Sequence, residues 1–310
     1  MNCFFLSMHS SFSRSLSVML KRAGHRVYTP DFAFAHAIRG NFKNSFPMEF
    51  PGVSQLSQEE FGDTPMDILF LLCKEQELGQ WWQLVKAPHP KATVVHYSGN
   101  DHTGYEPSKV DFLLAADSTT AKACHPKHQL NFFPILPYQD LPEPEPNRAE
   151  RAQSKIGSYV QSMEQHWPVQ HAMFTKLLEM LKGYKVEGLN HSGAGRQVCW
   201  EYMLRSLLTV HFKGAEGYGY SVLESLAMGV PVISTKALVF GRTLEKFFIH
   251  GQTGWVVEGP TEALNIIDAM NHNRPALQAM GQRAYNLVRT LLNEEQEVAN
   301  LKLFLEQVAE

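Results

Sequence analysis

Residues 207–234 constrain the fold of this chain more than any other stretch. Residues 207–212 are a short apolar run rich in β-formers, and residues 213–219 then carry three glycines. From Ser221 onward Val222, Leu223, Leu226 and Ala227 recur at helical spacing, and Gly229-Val230-Pro231 ends that helix before a strand at 230–234. Strand, glycine-rich loop, helix and strand make a βαβ unit, whose ligand end is the loop after its first strand. Bare glycine backbone lets a ligand approach closely. The free amides and positive dipole end of the helix favour a phosphate or a sugar oxygen. Two acids, Glu216 and Glu224, stand around that helix start. Acids, bare amides and a helix N-terminus together suit a ligand with both hydroxyls and phosphates, such as a nucleotide sugar.

Each acid also has a plainer reading. Ser221-Val-Leu-Glu224 fits the Ser-x-x-Glu capping box, in which the glutamate serves only local stability. Glu216 on its own is compatible with an ordinary solvated loop acid.

The whole string resembles the signature of the retaining glycosyltransferases of family four. Their pattern is Glu-Gly-Phe-Gly, three residues, then Leu/Pro-Glu-Ala-Met-Ala-x-Gly-x-Pro-Val-Val. Here Glu216-Gly217-Tyr218-Gly219 matches with Tyr for Phe, and Glu224-Ser225-Leu226-Ala227-Met228-Gly229-Val230-Pro231-Val232-Ile233 follows at the family's spacing. The strong match covers residues 207–258, including a glycine-bearing segment at 249–257 that is read as a strand. The resemblance implies an α/β chain of the GT-B type, two Rossmann-like domains with parallel sheets facing a central cleft. It implies a hexosyl- or pentosyltransferase that needs no cofactor or metal and takes a nucleotide-diphosphate sugar as co-substrate. Glu224 then matches the acid that holds the ribose hydroxyls, and Glu216 the acid that contacts the transferred sugar, the catalytic position. The turn of Gly217, Tyr218, Gly219, Tyr220, Ser221 and Val222 would supply main-chain amides to the sugar and the β-phosphate.

The chain departs from that pattern at one place. The family's C-terminal domain opens with a strand, then Gly-Arg and a nearby Lys-Gly, whose two cations neutralise the diphosphate. The corresponding residues 157–168 contain neither Arg nor Lys, and this half is one strand–helix unit shorter than the pattern. Arg196, after two glycines, and Lys213, just before the signature loop, are the candidate substitutes. A solvated helix-cap role for Arg196 and ordinary exposure for Lys213 are the competing readings.

The rest of the chain alternates strands and helices. In the first half strands are expected at 2–7, 25–28, 67–72, 92–97, 110–115 and 129–135, with helices at 13–23 and 78–85. Near-continuous apolar strands of this kind argue a parallel sheet covered on both faces. Residues 32–62 read as irregular, and segments of that length are usually functional or partly disordered. In the second half strands are expected at 156–160 and 185–189, and helices at 169–182, 197–206, 263–270 and 275–291. Asn293 reads as the cap of a last helix with an apolar stripe at Val298, Leu301, Leu305 and Val308. The expected domains are 1–140 on the acceptor side, a Pro-rich linker at 141–152, a nucleotide-sugar domain at 153–292, and a C-terminal helix at 293–310 that packs back on the first domain.

On the acceptor side Ser10, Ser11, Ser13 and Arg14 follow the first strand and offer hydroxyls and a guanidinium, with Ser13 also readable as a helix cap. Asp101 and His102 follow another strand and are candidates for a general base. Asp117 to Thr120 is readable as a further helix cap. The acceptor is open among a glycan, a small molecule, a protein, a lipid carrier and a nucleic-acid base.

Composition narrows little. With 44% hydrophobic residues in 310 the chain can bury a large core, and a net charge of −3 gives no global signature for nucleic acid or anionic membrane. No run of 18 apolar residues exists to span a bilayer. The four cysteines lack metal-ligand spacing and read as free thiols in a reducing, cytoplasmic setting. Other readings of the same string are a non-catalytic nucleotide-sugar binding module and a GT-B-type isomerase of the nucleotide sugar.

Overall fold

Apolar runs with no polar interruption form the centres of two parallel sheets, one in each of two units. A computed structural model describes residues 1–7, 10–39, 52–72, 75–98, 110–115, 129–131, 141–152, 154–160, 163–188, 196–215, 219–241 and 243–309. The chain divides into a first unit, Met1–Pro137 with Asn293–Glu310, and a second, Tyr138–Leu292.

The first unit holds β1 (Asn2–Ser7), β2 (Arg26–Pro30), β3 (Ser54–Leu56), β4 (Ile68–Leu72), β5 (Thr93–Ser98), β6 (Phe112–Ala115) and β7 (Gln129–Asn131). All neighbours are parallel, in the order β3-β2-β1-β4-β5-β6-β7. Every residue of β4 is buried, as a strand covered on both faces requires. On one face Phe4, Phe34 and Phe61 form a ring cluster, with Phe4 and Phe61 centroids 4.2 Å apart. The buried His89 anchors this corner through Nε2, 2.8 Å from the Phe61 carbonyl.

Two expectations change here. Ser13 is no helix cap, because the first helix begins three residues earlier (Ser10–Arg22) and buries Ser13 inside it. Within residues 32–62 the structure forms a helix, Phe32–Arg39, then β3 and a helix, Gln58–Asp63. Residues 40–51 of that segment lie outside the described residues, as do Cys73, Cys124 and 132–135 of the expected strand. The helix Gln58–Asp63 owns a true capping box: Glu60 N–H donates to Ser57 Oγ at 3.2 Å and Ser57 N–H to Glu60 Oε2 at 2.8 Å. Those bonds hold the Glu60 carboxyl below the usual range.

The C-terminal helix, Glu294–Ala309, is capped by Asn293, whose Oδ1 accepts from Gln296 N–H at 3.1 Å. Leu301, Phe304, Leu305 and Val308 are buried, Phe304 lies edge-on to Phe112 at 5.9 Å, and Glu294 pairs with Arg22.

The second unit holds β8 (Lys155–Ser158), β9 (Lys185–Gly188), β10 (Leu208–His211), β11 (Val232–Thr235) and β12 (Gly254–Val257), all parallel, in the order β12-β11-β10-β8-β9. Only the last four residues of the strand expected at 249–257 join the sheet. The preceding turn is closed by Thr253, whose Oγ1 accepts from Ile249 N–H and donates to the Phe247 carbonyl, and by Gly251 at φ 74°.

The Pro-rich stretch at 141–152 is packed onto this unit. Arg148 is buried in a short helix, Arg148–Arg151, and donates to the Ser206 carbonyl at 2.7 Å. Arg274 spans the carbonyls of Ala149 and Ala152, each at 2.9 Å. Further along, Glu143 accepts from Tyr285 and Arg289 of the helix Arg274–Leu291.

Candidate functional site

The order of the second sheet places its switch point at β8. The chain passes from β8 to β9 on one side, then returns to β10 on the other. Neighbouring loops leave such a point in opposite directions, so ligands of open α/β sheets bind beyond the carboxyl ends of those strands. The loop after β10 carries the signature, and the loop after β8 lies beside it. In the first sheet the equivalent point is between β1 and β4, where the helix Ser10–Arg22 begins.

The signature helix runs Tyr220–Ala227, and its cap residue is Gly219 at φ 62°, ψ 47°. This is the left-handed region, open to glycine at little cost. The first helical bond is Leu223 N–H to the Gly219 carbonyl at 2.9 Å. The amides of Tyr220, Ser221 and Val222 are therefore the helix's early donors, those without an intrahelical acceptor. A Cβ at Gly219 would sit 2.5 Å from Cδ1 of Leu244, a fully buried residue of the short turn Thr243–Lys246 after β11.

The capping-box reading of Glu224 does not hold. With Gly219 as cap, Ser221 is the second helical residue, and Glu224 falls in the second turn. Glu224 is nevertheless only 6% exposed. A carboxylate in such a position is seldom placed there for solubility, since burying it costs free energy unless it is engaged.

Side-chain hydroxyls lock the frame around it. Ser225, fully buried, is hydrogen-bonded to Thr209 of β10 at 2.8 Å and donates to the Val230 carbonyl at 3.0 Å. It thus ties the helix to its own sheet and to the turn into β11, which accounts for a serine where the family pattern has alanine. Ser234 donates to the His211 carbonyl at 2.7 Å and Thr235 to the Lys213 carbonyl at 2.9 Å, so β11 fixes the path leaving β10. Beyond the helix, Gly229 at φ 70° meets Gly281, where a Cβ would lie 2.2 Å from the Gly229 carbonyl oxygen.

The remaining candidates divide by location. Lys213 is half-buried at the carboxyl end of β10, and Arg196 is the first residue of the helix Arg196–Arg205 that follows β9. Gly219, Tyr220, Ser221, Val222 and Glu224 share the signature turn and helix, with Tyr220 and Val222 buried. Ser10, Ser11, Ser13 and Arg14 all lie on the first helix of the other unit, Arg14 half-buried. Glu216, Gly217, Tyr218, Asp101, His102 and the 117–120 cap lie outside the described residues, as do the side chains of Ser10, Ser11 and Arg196.

The loop after β8 offers aromatics. Tyr159 is buried and folds back over Gly157, where a Cβ would meet its hydroxyl at 2.7 Å, and burial pushes its phenol well above the usual range. Trp167 caps the helix Pro168–Met180 and lies against Gly214. Trp167 and Leu244 were not among the sequence candidates. Pro168 at the first helical position was a readable sign of the turn at Trp167, whereas nothing local marks Leu244.

Residues 183–287 match the family described as "Glycosyl transferases group 1". No curated protein matches the chain in sequence. Among solved structures, HepE of Anabaena in complex with UDP and glucose superposes with a TM-score of 0.67 at 11% identity, over 98% of this chain and 99% of that one. The fold is GT-B. Sucrose-phosphate synthase from Thermosynechococcus elongatus gives a TM-score of 0.67 at 12% identity over 99% and 98% of the two chains. The pneumococcal O-GlcNAc transferase GtfA, in complex with UDP and GlcNAc, gives 0.56 at 13% identity over 81% and 59%. In this GT-B chain the second unit carries the group 1 match, signature helix included. No helix among the described residues is long and apolar enough to cross a membrane.

Proposed function

We propose that this protein is a glycosyltransferase that moves a sugar from a nucleoside-diphosphate sugar to an acceptor hydroxyl, with retention of anomeric configuration. The place of Glu224, on a glycine-capped helix that follows β10 beside the switch point of its sheet, carries this reading. The group 1 match over residues 183–287 supports it, as do GT-B structures of other proteins whose complexes contain UDP with glucose or GlcNAc.

In the proposed complex Glu224 accepts hydrogen bonds from the ribose hydroxyls, and Glu216 contacts hydroxyls of the transferred sugar. The amides that begin the signature helix face the sugar and the β-phosphate, with the positive end of the helix dipole behind them. Lys213 and Arg196 neutralise the leaving diphosphate. The acceptor oxygen bonds to the anomeric carbon as the carbon–oxygen bond to the diphosphate breaks, and the acceptor proton leaves with the departing diphosphate. Fixed donors aimed at that charge supply the catalysis. Ser10, Ser11, Ser13 and Arg14, with Asp101 and His102, belong to the acceptor side in this scheme.

The test is a thermal-shift screen with UDP, GDP, ADP and their sugars, followed by transfer and donor-hydrolysis assays on the stabilising donor. Glu224→Gln keeps the shape and removes the charge, so binding should weaken by the roughly 1.5–3 kcal/mol of a charged hydrogen bond, about tenfold to 150-fold. Binding by the wild type without any transfer or hydrolysis would convert the reading to a binding module. The observation behind that outcome is the pair Tyr159 and Trp167 where the family pattern places cations. Stabilisation by no nucleotide would overturn the scheme.

A further inference from the structure

The described residues on either side of the signature loop, Lys213, Gly214 and Gly219, each meet a residue from a neighbouring loop. Thr235 Oγ1 donates to the Lys213 carbonyl at 2.9 Å. At Gly214 a Cβ would lie 2.6 Å from Cε3 and 3.0 Å from Cζ3 of Trp167, and 3.4 Å from Gln170 Oε1. At Gly219 the side chain of Leu244 fills the corresponding space.

The two glycines are needed for different reasons. Gly219 adopts a positive φ and is also crowded, whereas Gly214 is absent from the residues with positive φ. Gly214 therefore answers only to contact: the indole rests where a side chain would begin. The two nearest atoms it meets belong to the ring system, which cannot flex away as a long side chain does. Trp167 is itself firmly placed. Its amide donates to the Met163 carbonyl at 2.7 Å, its carbonyl accepts from His171 at 2.8 Å, and Pro168 fixes the next backbone angle.

We infer that Trp167 is a positioning residue for the donor turn. Through Gly214 it sets the path by which the chain leaves β10, and with it the direction of the Tyr220 to Val222 amides. The inference rests on the proposed function for the ligand, a nucleoside-diphosphate sugar, and on the contact alone for the mechanics. Trp167 acts through the backbone of the turn and needs no contact with the reacting atoms.

The experiment compares wild type, Trp167→Ala, Trp167→Phe, Gly214→Ala and the double variant Gly214→Ala with Trp167→Ala, using UDP-glucose as probe. Amide hydrogen exchange at Leu223, whose N–H donates to the Gly219 carbonyl in the first bond of the signature helix, measured without ligand, should accelerate on the order of tenfold in Trp167→Ala and in Gly214→Ala, with Trp167→Phe between these and wild type. The donor KM should rise on the order of tenfold to a hundredfold while kcat changes less, as misplacement of a binding turn predicts. The double variant should be less impaired than Gly214→Ala, because removing the indole makes room for the new methyl group. A merely structural tryptophan would lower thermal stability without that KM split or that rescue. Unchanged exchange in Trp167→Ala, or no relief in the double variant, overturns the inference even where UDP-glucose binds. Exchange that moves as expected in a protein that binds no nucleotide sugar overturns the proposed function and the donor role of Trp167 with it.

Discussion

Replacing Gly219 by alanine tests the geometry of the signature turn in two separable parts. The first is the backbone: at φ 62°, ψ 47° a residue with a Cβ costs about 1–2 kcal/mol. The second is contact, since the new methyl would lie 2.5 Å from Leu244 Cδ1 and 2.9 Å from both Cδ2 and Cγ. Leu244 is fully buried and has no solvent to turn into, so this overlap costs a further ~1–3 kcal/mol. Gly219→Ala should therefore destabilise the protein by about 2–5 kcal/mol. Leu244→Ala alone should cost about 2–5 kcal/mol through the cavity it leaves. In the double variant the overlap vanishes while the backbone cost stays, so the sum of the single effects should exceed the double by about 1–3 kcal/mol. Urea denaturation of the four proteins, followed by tryptophan fluorescence, gives each value. Additivity within about 0.5 kcal/mol would refute the contact. A cost below about 1 kcal/mol for Gly219→Ala would refute the left-handed cap.

Two further outcomes concern the surroundings. Gly281→Ala drives a methyl to 2.2 Å from the Gly229 carbonyl oxygen, a backbone atom with no rotamer to adopt, so unfolding in urea should show a loss of about 1–3 kcal/mol; a neutral variant would contradict the packing. Cys3 is fully buried, and burial pushes its thiol from 9.0 up to about 12. The unfolded chain then loses this proton first, so the contribution is intact below pH 9 and is lost as pH rises toward 12, by about 1.4 kcal/mol per unit. Cys3→Ala should remove one proton's worth of that slope in denaturation measured between pH 8 and 11; equal slopes would sink the assignment.

What the sequence disclosed followed the length of each signal. The run Asn2–Ser7 and the buried core of Ile68–Leu72 announce strands because six and five residues repeat one environment. The three residues of β3 and the six of Gln58–Asp63 are too short for any period to show. The Ser-x-x-Glu spacing forms a capping box at Ser57 and Glu60, within a segment that reads as irregular in the sequence, and forms none at Ser221 and Glu224, where it is the competing reading. The difference is tertiary: Gly219 takes the cap in a left-handed conformation that Leu244 packs against, and this moves Ser221 into the helix. The signature turn reads as a candidate ligand site because glycines, acids and a helix start coincide in one short string. Trp167 and Leu244 were not, since each acts across a gap of tens of residues that only the sheet order closes.

That sheet order also bears on how a diphosphate could be held without the family's usual cations. In the order β12-β11-β10-β8-β9 the strand β8 stands between β10 and β9. Lys213 follows β10, and Arg196 opens the helix that follows β9. The two candidate cations therefore sit on the connections that flank β8, while the β8 loop itself carries Tyr159, neutral and buried, and Trp167 against Gly214. A cation on either neighbouring strand end can address a phosphate beyond the switch point as well as one on the central strand, because Coulomb attraction depends on distance and dielectric rather than on which loop supplies the charge. An aromatic on the central loop then shapes the turn that presents the amides, leaving charge to the flanks. In this arrangement Lys213→Ala should weaken UDP binding more than binding of uridine; equal loss for the two ligands in Lys213→Ala would remove Lys213 from the phosphate.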